Sequence, residues 1–254
     1  MSISIKKVLS IDIDYVMSPT IQLYNELYET IEKAGNDPMK MSYKDYWDKV
    51  EELTESRRFL EYDQAKYDAV KDLCLKVAEY LPPENIYFAR EHDAILTFLC
   101  QDKEKVDYIY DIYNVDHHHD IYYNDSQKAW VHRFNFAQCA NWVWYLYENK
   151  KLNQYFWIKN ENSKRYPFVG NNGCNRDLAC PEFYSMSNIK EVKELESRTF
   201  DYMFLCRSNN YLPFKFESLF SNLRDSIGKL KKTKFPMDMD LYGGEEGKTR
   251  FPIK

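Results

Sequence analysis

Clusters of acids and imidazoles follow three of the predicted β-strands, and this recurrence constrains the fold more than any other feature of the sequence. The clusters are Asp12/Asp14, His92, and Asp116/His118/Asp120. Each follows a run of large or β-branched residues, which is typical of a strand. Like charges held close together resist burial unless a cation compensates them. Carboxylate and neutral imidazole are ordinary ligands of divalent metals, so the pattern predicts a metal site.

The distribution of histidine supports this prediction. The chain has five histidines, and all of them lie within residues 92–132. They are His92, His117, His118, His119 and His132. Such concentration favours a metal site over a solvated polar loop.

Predicted strands and helices alternate along the chain. The predicted strands cover residues 7–16, 85–89, 106–113, 154–158 and 199–206. Helices are predicted after Pro19, twice within 42–81, and at 94–99, 134–149 and 214–230, whereas 160–185 is predicted to be a long irregular region. This alternation predicts an α/β fold in three layers, with a mainly parallel sheet and helices on both faces. Ligands of such sheets bind at the carboxyl ends of the strands, where the three clusters stand.

Side-chain periodicity selects the predicted ligands. In an extended chain, side chains two residues apart share a face, so Asp12 and Asp14 should point the same way. By the same rule His117 and His119 should face away from the other members of their run. The predicted ligands are Asp12, Asp14, His92, Asp116, His118 and Asp120. Six ligands with four carboxylates suit two divalent ions, and the oxygen-rich set favours Mn²⁺.

Composition excludes several classes of function. Among 254 residues the seven glycines form no phosphate-binding loop pattern, and the net charge of −5 disfavours nucleic-acid binding. No signal peptide or membrane-spanning run is evident, and the six cysteines are scattered, which predicts a cytoplasmic protein without a membrane partner. Cys174 and Cys180 flank a short loop and could pair or bind metal. We expect one domain over residues 1–230 and a charged tail over 231–254.

The motifs resemble those of the arginase and deacetylase superfamily of metallohydrolases. The family places a histidine at one strand exit, then Asp-x-His-x-Asp, and Asp-x-Asp within a Ser-x-Asp-x-Asp segment. The corresponding positions here are His92, Asp116-x-His118-x-Asp120 and Ser10–Asp14. His132 falls near the position of the arginase proton-shuttle histidine.

A closer resemblance is to an uncharacterised arginase-like family that includes peptide arginases. Its hallmarks are similar to Glu91-His92, Asp116-x-His118-x-Asp120, Asn141-Trp142 and Ile11–Tyr15, and the resemblance covers roughly residues 8–16 and 85–160. Further residues expected near the metals or the substrate are Glu91, His117, His119, Asn141, Trp142 and Arg207.

The chain departs from the family pattern in two places. The Asp-x-Asp segment normally follows the other motifs, whereas here it comes first, as in a circular permutation. Arginases also carry an acid near the end of the final strand that holds the guanidinium group, and the aligned position here is Phe204. The second departure argues against specificity for free arginine.

The resemblance implies hydrolysis of a C–N bond by a metal-bridging hydroxide. Asp12 and Asp116 would bridge two Mn²⁺ ions. The remaining ligands would be His92 and Asp120 for one ion, and His118 and Asp14 for the other. His132 would act as the catalytic proton carrier, and the substrate would be an arginine-containing peptide, converted to ornithine and urea, or a small guanidino or amide compound.

Three alternatives stay open from the sequence. Asp116-His117-His118 also resembles the signature of Mn²⁺-dependent DHH phosphoesterases, although no histidine follows His132 to supply their C-terminal motif. Asp12–Val16 resembles the nucleophile motif of haloacid-dehalogenase-type phosphatases, which leaves the histidine cluster unexplained. The third alternative is a catalytically silent relative that binds a metal or a ligand. The sequence leaves the oligomeric state open.

Overall fold

Six β-strands pair side by side in the part of the chain that the computed structural model describes. That part comprises residues 4–17, 21–36, 41–53, 61–100, 108–122, 125–134, 137–163, 183–186, 189–208 and 211–235. The strands are β1 (Ser4–Asp12), β2 (Ile86–Ala89), β3 (Tyr108–Asp116), β4 (Leu152–Lys159), β5 (Phe183–Met186) and β6 (Tyr202–Cys206). They form one sheet in the order β2-β6-β1-β3-β4-β5, and neighbouring strands are parallel throughout. The prediction of a parallel sheet is confirmed.

Helices cover both faces of this sheet. The α-helices are α1 (Ile21–Lys33), α2 (Tyr43–Leu53), α3 (Gln64–Tyr80), α4 (Ala94–Cys100), α5 (Asp125–Phe134), α6 (Trp142–Glu148), α7 (Ile189–Leu195) and α8 (Glu217–Lys231). Successive strand residues point to opposite faces. Leu9 and Met203 therefore pack with α3, α7 and α8, whereas Val8 and Phe204 pack with α4, α5 and α6. The predicted three-layer α/β arrangement is confirmed.

The sheet order brings the ends of distant segments together. β1 and β3 are adjacent central strands, and Ser10 pairs with Asn114 in their register. Asp12 and Asp116 are the last residues of these two strands. Helices cover both faces of these two strands. The carboxylates at the strand ends are therefore buried in the protein interior.

The structure corrects several of the predicted elements. The helix expected at 134–149 is confined to Trp142–Glu148, because Asn141 closes a turn by accepting a hydrogen bond from the Gln138 amide (2.7 Å). The preceding helix α5 was not predicted, since its sequence has a weak apolar period. β5 begins at Phe183, inside the region that was expected to be irregular. Residues 164–182 of that region, with Cys174 and Cys180, lie outside the described residues.

The C-terminal segment is described as far as residue 235. Helix α8 ends at Lys231, and Lys232 adopts the left-handed conformation (φ 53°). Phe235 is buried, and its ring centroid lies 5.1 Å from that of Phe88. Residues 236–254, most of the predicted tail, lie outside the described part. None of the helices in the described part combines the length and apolar character that crossing a membrane requires.

Candidate metal centre

Two carboxylates stand at the ends of the central strands. Asp12 ends β1 and Asp116 ends β3, and the two residues are 4% and 0% exposed. By the two-residue alternation they share the sheet face of Ser10 and Asn114. Their proximity therefore follows from strand periodicity combined with the parallel pairing of β1 and β3.

Asp14 reaches the same place by a different route from the one predicted. It does not continue the strand, because Ile13–Val16 form a 3₁₀ turn whose first amides are capped by Asp12, with the Asp14 N–H donating to Asp12 (3.2 Å). The turn carries the Asp14 carboxylate to 2.9 Å from Nδ1 of His118. The prediction that both acids converge is confirmed, but the extended geometry from which it was derived is wrong.

The second motif is also not extended. β3 stops at Asp116, whose carboxylate accepts a hydrogen bond from the His118 amide (2.7 Å). Asp120 has a positive φ of 51°, a conformation that aspartate tolerates better than most residues. This bend directs the Asp120 carboxylate to 3.0 Å from Nδ1 of His92, and the Trp142 indole N–H donates to it (2.7 Å). Convergence here comes from a folded loop instead of alternation.

His92 is held rigidly between the sheet and helix α6. Its ring stacks on Phe204 at 5.7 Å with an interplanar angle of 4°, and packs against Trp142 at 4.9 Å. The Ser10 hydroxyl lies 2.7 Å from Nε2. On the other side of the ring, Nδ1 lies 3.0–3.4 Å from three carboxylates but makes no hydrogen bond with any described residue. A nitrogen that faces several carboxylates without bonding to one is placed as a metal ligand would be.

Two groups of potential ligands result, and they share one residue. Asp12, His92 and Asp116 form the first triad, and Asp14, Asp116 and His118 form the second. Within each triad the ligand atoms lie within 4.8 Å of one another, and every member is buried. Asp116 belongs to both triads. The sequence assigned a bridging role to Asp12 as well, but Asp12 belongs to the first triad alone.

Electrostatics favour a cation in this cluster. Burial raises the pKa values of the Asp12 and Asp116 carboxyls, and the neighbouring carboxylates raise them further. Burial alone would keep the two triad imidazoles neutral, but the surrounding carboxylates outweigh it. They raise the pKa of His92 well above its ordinary value and that of His118 to about 9. The metal-free cluster therefore retains protons, which divalent ions would displace on binding.

His117 and His119 are interior residues, 2% and 1% exposed. Burial lowers their pKa values to about 4 and about 3, with the charge of His118 contributing to both shifts. The His117 amide donates to Asp14 (3.2 Å). The His119 ring packs edge-on against Trp157, and its Nδ1 accepts from the Ile121 amide (3.0 Å). Both residues support the loop that carries the triad residues.

The remaining predicted residues differ in whether they contact the cluster. Trp142 contacts both Asp120 and His92, while Asn141 holds the turn that starts helix α6. Glu91 lines the cavity beside the cluster. The Arg207 guanidinium pairs with Glu217 (3.0 Å), and Arg207 is not among the described residues that line that cavity.

The structure does not bring His132 to the cluster. Its side chain is 81% exposed on helix α5, and its Nδ1 lies 3.5 Å from the Glu148 carboxylate. It is absent from the described lining of the cavity. This placement gives no support to the proton-carrying role that the resemblance implied.

Sequence reasoning missed several supporting residues. Ser10 and Asn114 each precede a strand-terminal aspartate by two residues, so strand periodicity could have identified them. Asn114 donates to Asp116 (3.0 Å) and to the Tyr155 hydroxyl (2.9 Å). Ser208, with φ 60°, donates to Asp14 (3.2 Å), and nothing in its local sequence predicted this.

A cavity opens beside the two triads. It is lined by Asp12, Glu91, His92, His118, Asp120, Cys139, Ala140, Ser208 and Tyr211. The Tyr211 ring lies 4.1 Å from that of His118. Phe204, which the resemblance would align with the guanidinium-binding acid of arginases, is fully buried and stacks on the His92 ring.

Comparison with known proteins adds no relative. No protein-family model, curated protein or solved structure matches this chain.

Proposed function

We propose that this protein is a dinuclear metal hydrolase of the arginase-like class, which hydrolyses a C–N bond of a guanidino or amide group. The observation that carries the proposal is the pair of buried triads that share Asp116. A carboxylate common to two ligand sets can present one oxygen to each of two ions, as two-ion hydrolase sites require. A cluster of this charge without cations would carry a large desolvation penalty.

The donor set fits two divalent ions with a preference for oxygen. Four aspartates and two histidines converge, and His92 and His118 each present Nδ1 toward carboxylates. Carboxylate-rich sites with some imidazole suit Mn²⁺, whereas structural zinc sites favour cysteine and histidine. Asp120 lies 3.0 Å from the His92 ring nitrogen, close enough to complete the first ligand set.

The chain's own residues hold the ligands in place. The Ser10 hydroxyl lies within hydrogen-bond distance of Nε2 of His92, so Nδ1 is the ring nitrogen that is available to a metal. The Asn114 amide and the Trp142 indole fix the carboxylates of Asp116 and Asp120. Divalent ions bound here would supply Lewis acidity that lowers the pKa of a water molecule and prepares it as the nucleophile. His132 has no part in this proposal, because its ring is exposed.

The proposed arginase-like fold is circularly permuted. β1, which carries the Asp-x-Asp segment, is first in the chain but lies directly beside β3, which carries Asp-x-His-x-Asp. Only convergence at the carboxyl edge of the sheet matters for the chemistry, and permuted connections are tolerated when it is kept. The parallel pairing of these two strands supports the permutation.

The proposed substrate is an arginine side chain of a peptide, converted to ornithine and urea, or a smaller guanidino or amide compound. The proposed compartment is the cytoplasm. Cys74, Cys100, Cys139 and Cys206 are free thiols among the described residues, as expected where thiols stay reduced.

Metal analysis tests the proposal directly. Elemental mass spectrometry of protein loaded with Mn²⁺ should find close to two ions per chain. Asp116→Asn should lose both ions, because it weakens both triads, and Asp12→Ala should lose at least the first ion. Asp72→Asn, at an exposed position of helix α3, serves as the matched control and should retain both.

Turnover is measured separately by incubating arginine-containing peptides with the loaded protein. Mass spectrometry should detect ornithine in the peptide, together with released urea. If Asp12→Ala binds as much metal as the wild type, the permuted assignment is wrong. If Asp116→Asn retains two ions, the dinuclear site itself is wrong.

A second candidate is a catalytically silent protein that binds metal. The exposed position of His132 and the phenylalanine at position 204 favour it, since both differ from a complete arginase set. Two bound ions with no release of urea or amine from guanidino and amide substrates would identify this alternative.

A further inference from the structure

The ligand loop, residues 116–120, carries Asp116, His118 and Asp120 and begins where β3 ends. All five of its residues are buried. Buried carbonyl groups need hydrogen-bond partners, and a loop that turns away from its strand does not obtain them from the sheet ladder. Other elements of the fold therefore have to supply donors to this loop.

Strand β4 supplies two of these donors from one of its faces. The Trp157 indole N–H donates to the carbonyl of Asp116 (3.1 Å), and the Tyr155 hydroxyl donates to the carbonyl of His119 (2.9 Å). The two aromatic residues are two positions apart, so they share a face of the strand, and each is 1% exposed. Because β4 pairs in parallel with β3, these two hydrogen bonds fix the loop near both of its ends.

The Tyr155 hydroxyl is also connected to the carboxylate that the two triads share. The Asn114 side-chain amide donates to this hydroxyl (2.9 Å) and to the Asp116 carboxylate (3.0 Å). One hydroxyl therefore links the side chain of Asp116 to the backbone immediately before Asp120. The carboxylates of these two aspartates lie 3.1 Å and 3.0 Å from Nδ1 of His92, so this link bears on their spacing around a single ring nitrogen.

The backbone at Asp120 requires such support. Its φ of 51° lies in a region that residues other than glycine populate sparsely. The peptide before Asp120 is held by the bond from Tyr155 to the His119 carbonyl, and the Asp120 carbonyl accepts from the Val143 amide (3.1 Å). Without the first of these bonds, the turn is free to relax and to move the Asp120 carboxylate away from its place beside the first triad.

We propose that Tyr155 is a positioning residue of the metal centre, whose hydroxyl sets the spacing of the Asp116 and Asp120 carboxylates and thereby the affinity for divalent ions. The inference rests on the proposed function, because it requires ions at the two triads. Tyr155 belongs to neither triad and is not among the described residues that line the cavity. It acts through Asn114 and the loop backbone, and not by contact with a metal or a substrate.

The test compares two tyrosine-to-phenylalanine variants, each of which removes one oxygen and keeps the ring. Tyr155→Phe removes the proposed link. Tyr110→Phe is the matched control, because Tyr110 is fully buried near the start of β3 and its hydroxyl donates to the Leu99 carbonyl (2.8 Å). Both variants lose a buried hydroxyl that donates to a carbonyl, so the melting temperatures of the metal-free proteins should fall by similar amounts. Only Tyr155→Phe should also weaken Mn²⁺ binding, by about 10–100-fold.

Mn²⁺ affinity is measured by competition with a chelating dye, at a temperature where circular dichroism shows the variants to be folded. Electron paramagnetic resonance of the loaded proteins gives a second readout, because it reports the magnetic coupling between neighbouring Mn²⁺ ions. Tyr155→Phe should change this spectrum, and Tyr110→Phe should keep that of the wild type. Trp157→Phe, which loses the bond to the Asp116 carbonyl, should weaken Mn²⁺ binding as well and decides the matter if Tyr155→Phe does not fold.

Three outcomes would overturn the inference. Affinity of Tyr155→Phe within about twofold of that of Tyr110→Phe does so and leaves the proposed function intact, and an unchanged Trp157→Phe does the same where Tyr155→Phe does not fold. An equal loss of affinity in Tyr110→Phe shows that the effect is general destabilisation. A wild type that binds no divalent ion overturns the proposed function and this inference with it.

Discussion

Replacing Ser10 by alanine tests how the chain presents His92 to a metal. The Ser10 side chain is fully buried, and its hydroxyl lies 2.7 Å from Nε2 of His92. Alanine removes one oxygen without adding volume, so the sheet and the ring stacking on Phe204 should be preserved. The variant removes the group that determines which ring nitrogen carries the proton, and it leaves Nε2 without a described partner.

Two effects with different magnitudes should follow. Loss of a buried hydrogen bond that leaves its partner unsatisfied costs about 1–3 kcal/mol of unfolding free energy. For a chain of this length that corresponds to roughly 2–4 °C in melting temperature per kcal/mol. Loss of a residue that orients a metal-bound histidine typically weakens metal binding about 10–100-fold. The metal effect is the specific one, because a merely structural serine would lower stability alone.

The assay is a Mn²⁺ titration in competition with a chelating dye, run beside a thermal melt of the metal-free protein. Ser197→Ala is the control, since its exposed hydroxyl bonds only to the Glu194 carbonyl among described residues. It should change neither property by a measurable amount. If Ser10→Ala melts earlier but binds Mn²⁺ within twofold of the wild type, His92 is not a ligand and the first triad is wrong.

Two further predictions concern pH and proton transfer. The folded-state pKa of His118 is about 9, above the ordinary 6.5, because the carboxylate charges outweigh its burial. Its contribution to the stability of the metal-free protein is therefore complete below about pH 6.5 and is lost as pH rises through about 9. Melting of chelator-treated protein should show this decline, and the stabilisation by added Mn²⁺ should grow over the same window; a flat profile in both would contradict it. For His132→Ala we expect metal content and any measured turnover within about twofold of the wild type, because its ring is exposed, and a loss of a hundredfold or more would restore the proton-carrying role.

The local sequence was sufficient to predict the layers of the fold. Alternating apolar runs identified β1, β3 and β6, because a side-chain period of two is a property of each strand by itself. Alternation with helices then implied parallel pairing, since parallel strands need a crossover. Helix α5 and strand β5 were not predicted, because α5 has only a weak apolar period and β5 is short.

The sequence also identified the chemistry of the candidate site without its geometry. Acids and imidazoles recurring after strands predicted that Asp12, His92 and Asp116 would meet, and they do. The assumption that the chain stays extended after β1 and β3 was wrong. Asp14 is delivered by a 3₁₀ turn and Asp120 by a residue with positive φ, and both depend on capping and packing that alternation does not encode.

What the sequence by itself determined is the inventory of strands, helices and metal-binding side chains, because those depend on residue type and short-range spacing. Only the tertiary structure decided which of them meet. The order β2-β6-β1-β3 places β6 between β2, which His92 follows, and β1, which ends at Asp12, and it brings Ser208 to Asp14 across 194 residues of sequence. The same packing leaves His132 outside and Glu91 at the cavity wall. Strand order and helix placement arise from burial summed over the whole sheet, so no local pattern could have specified them.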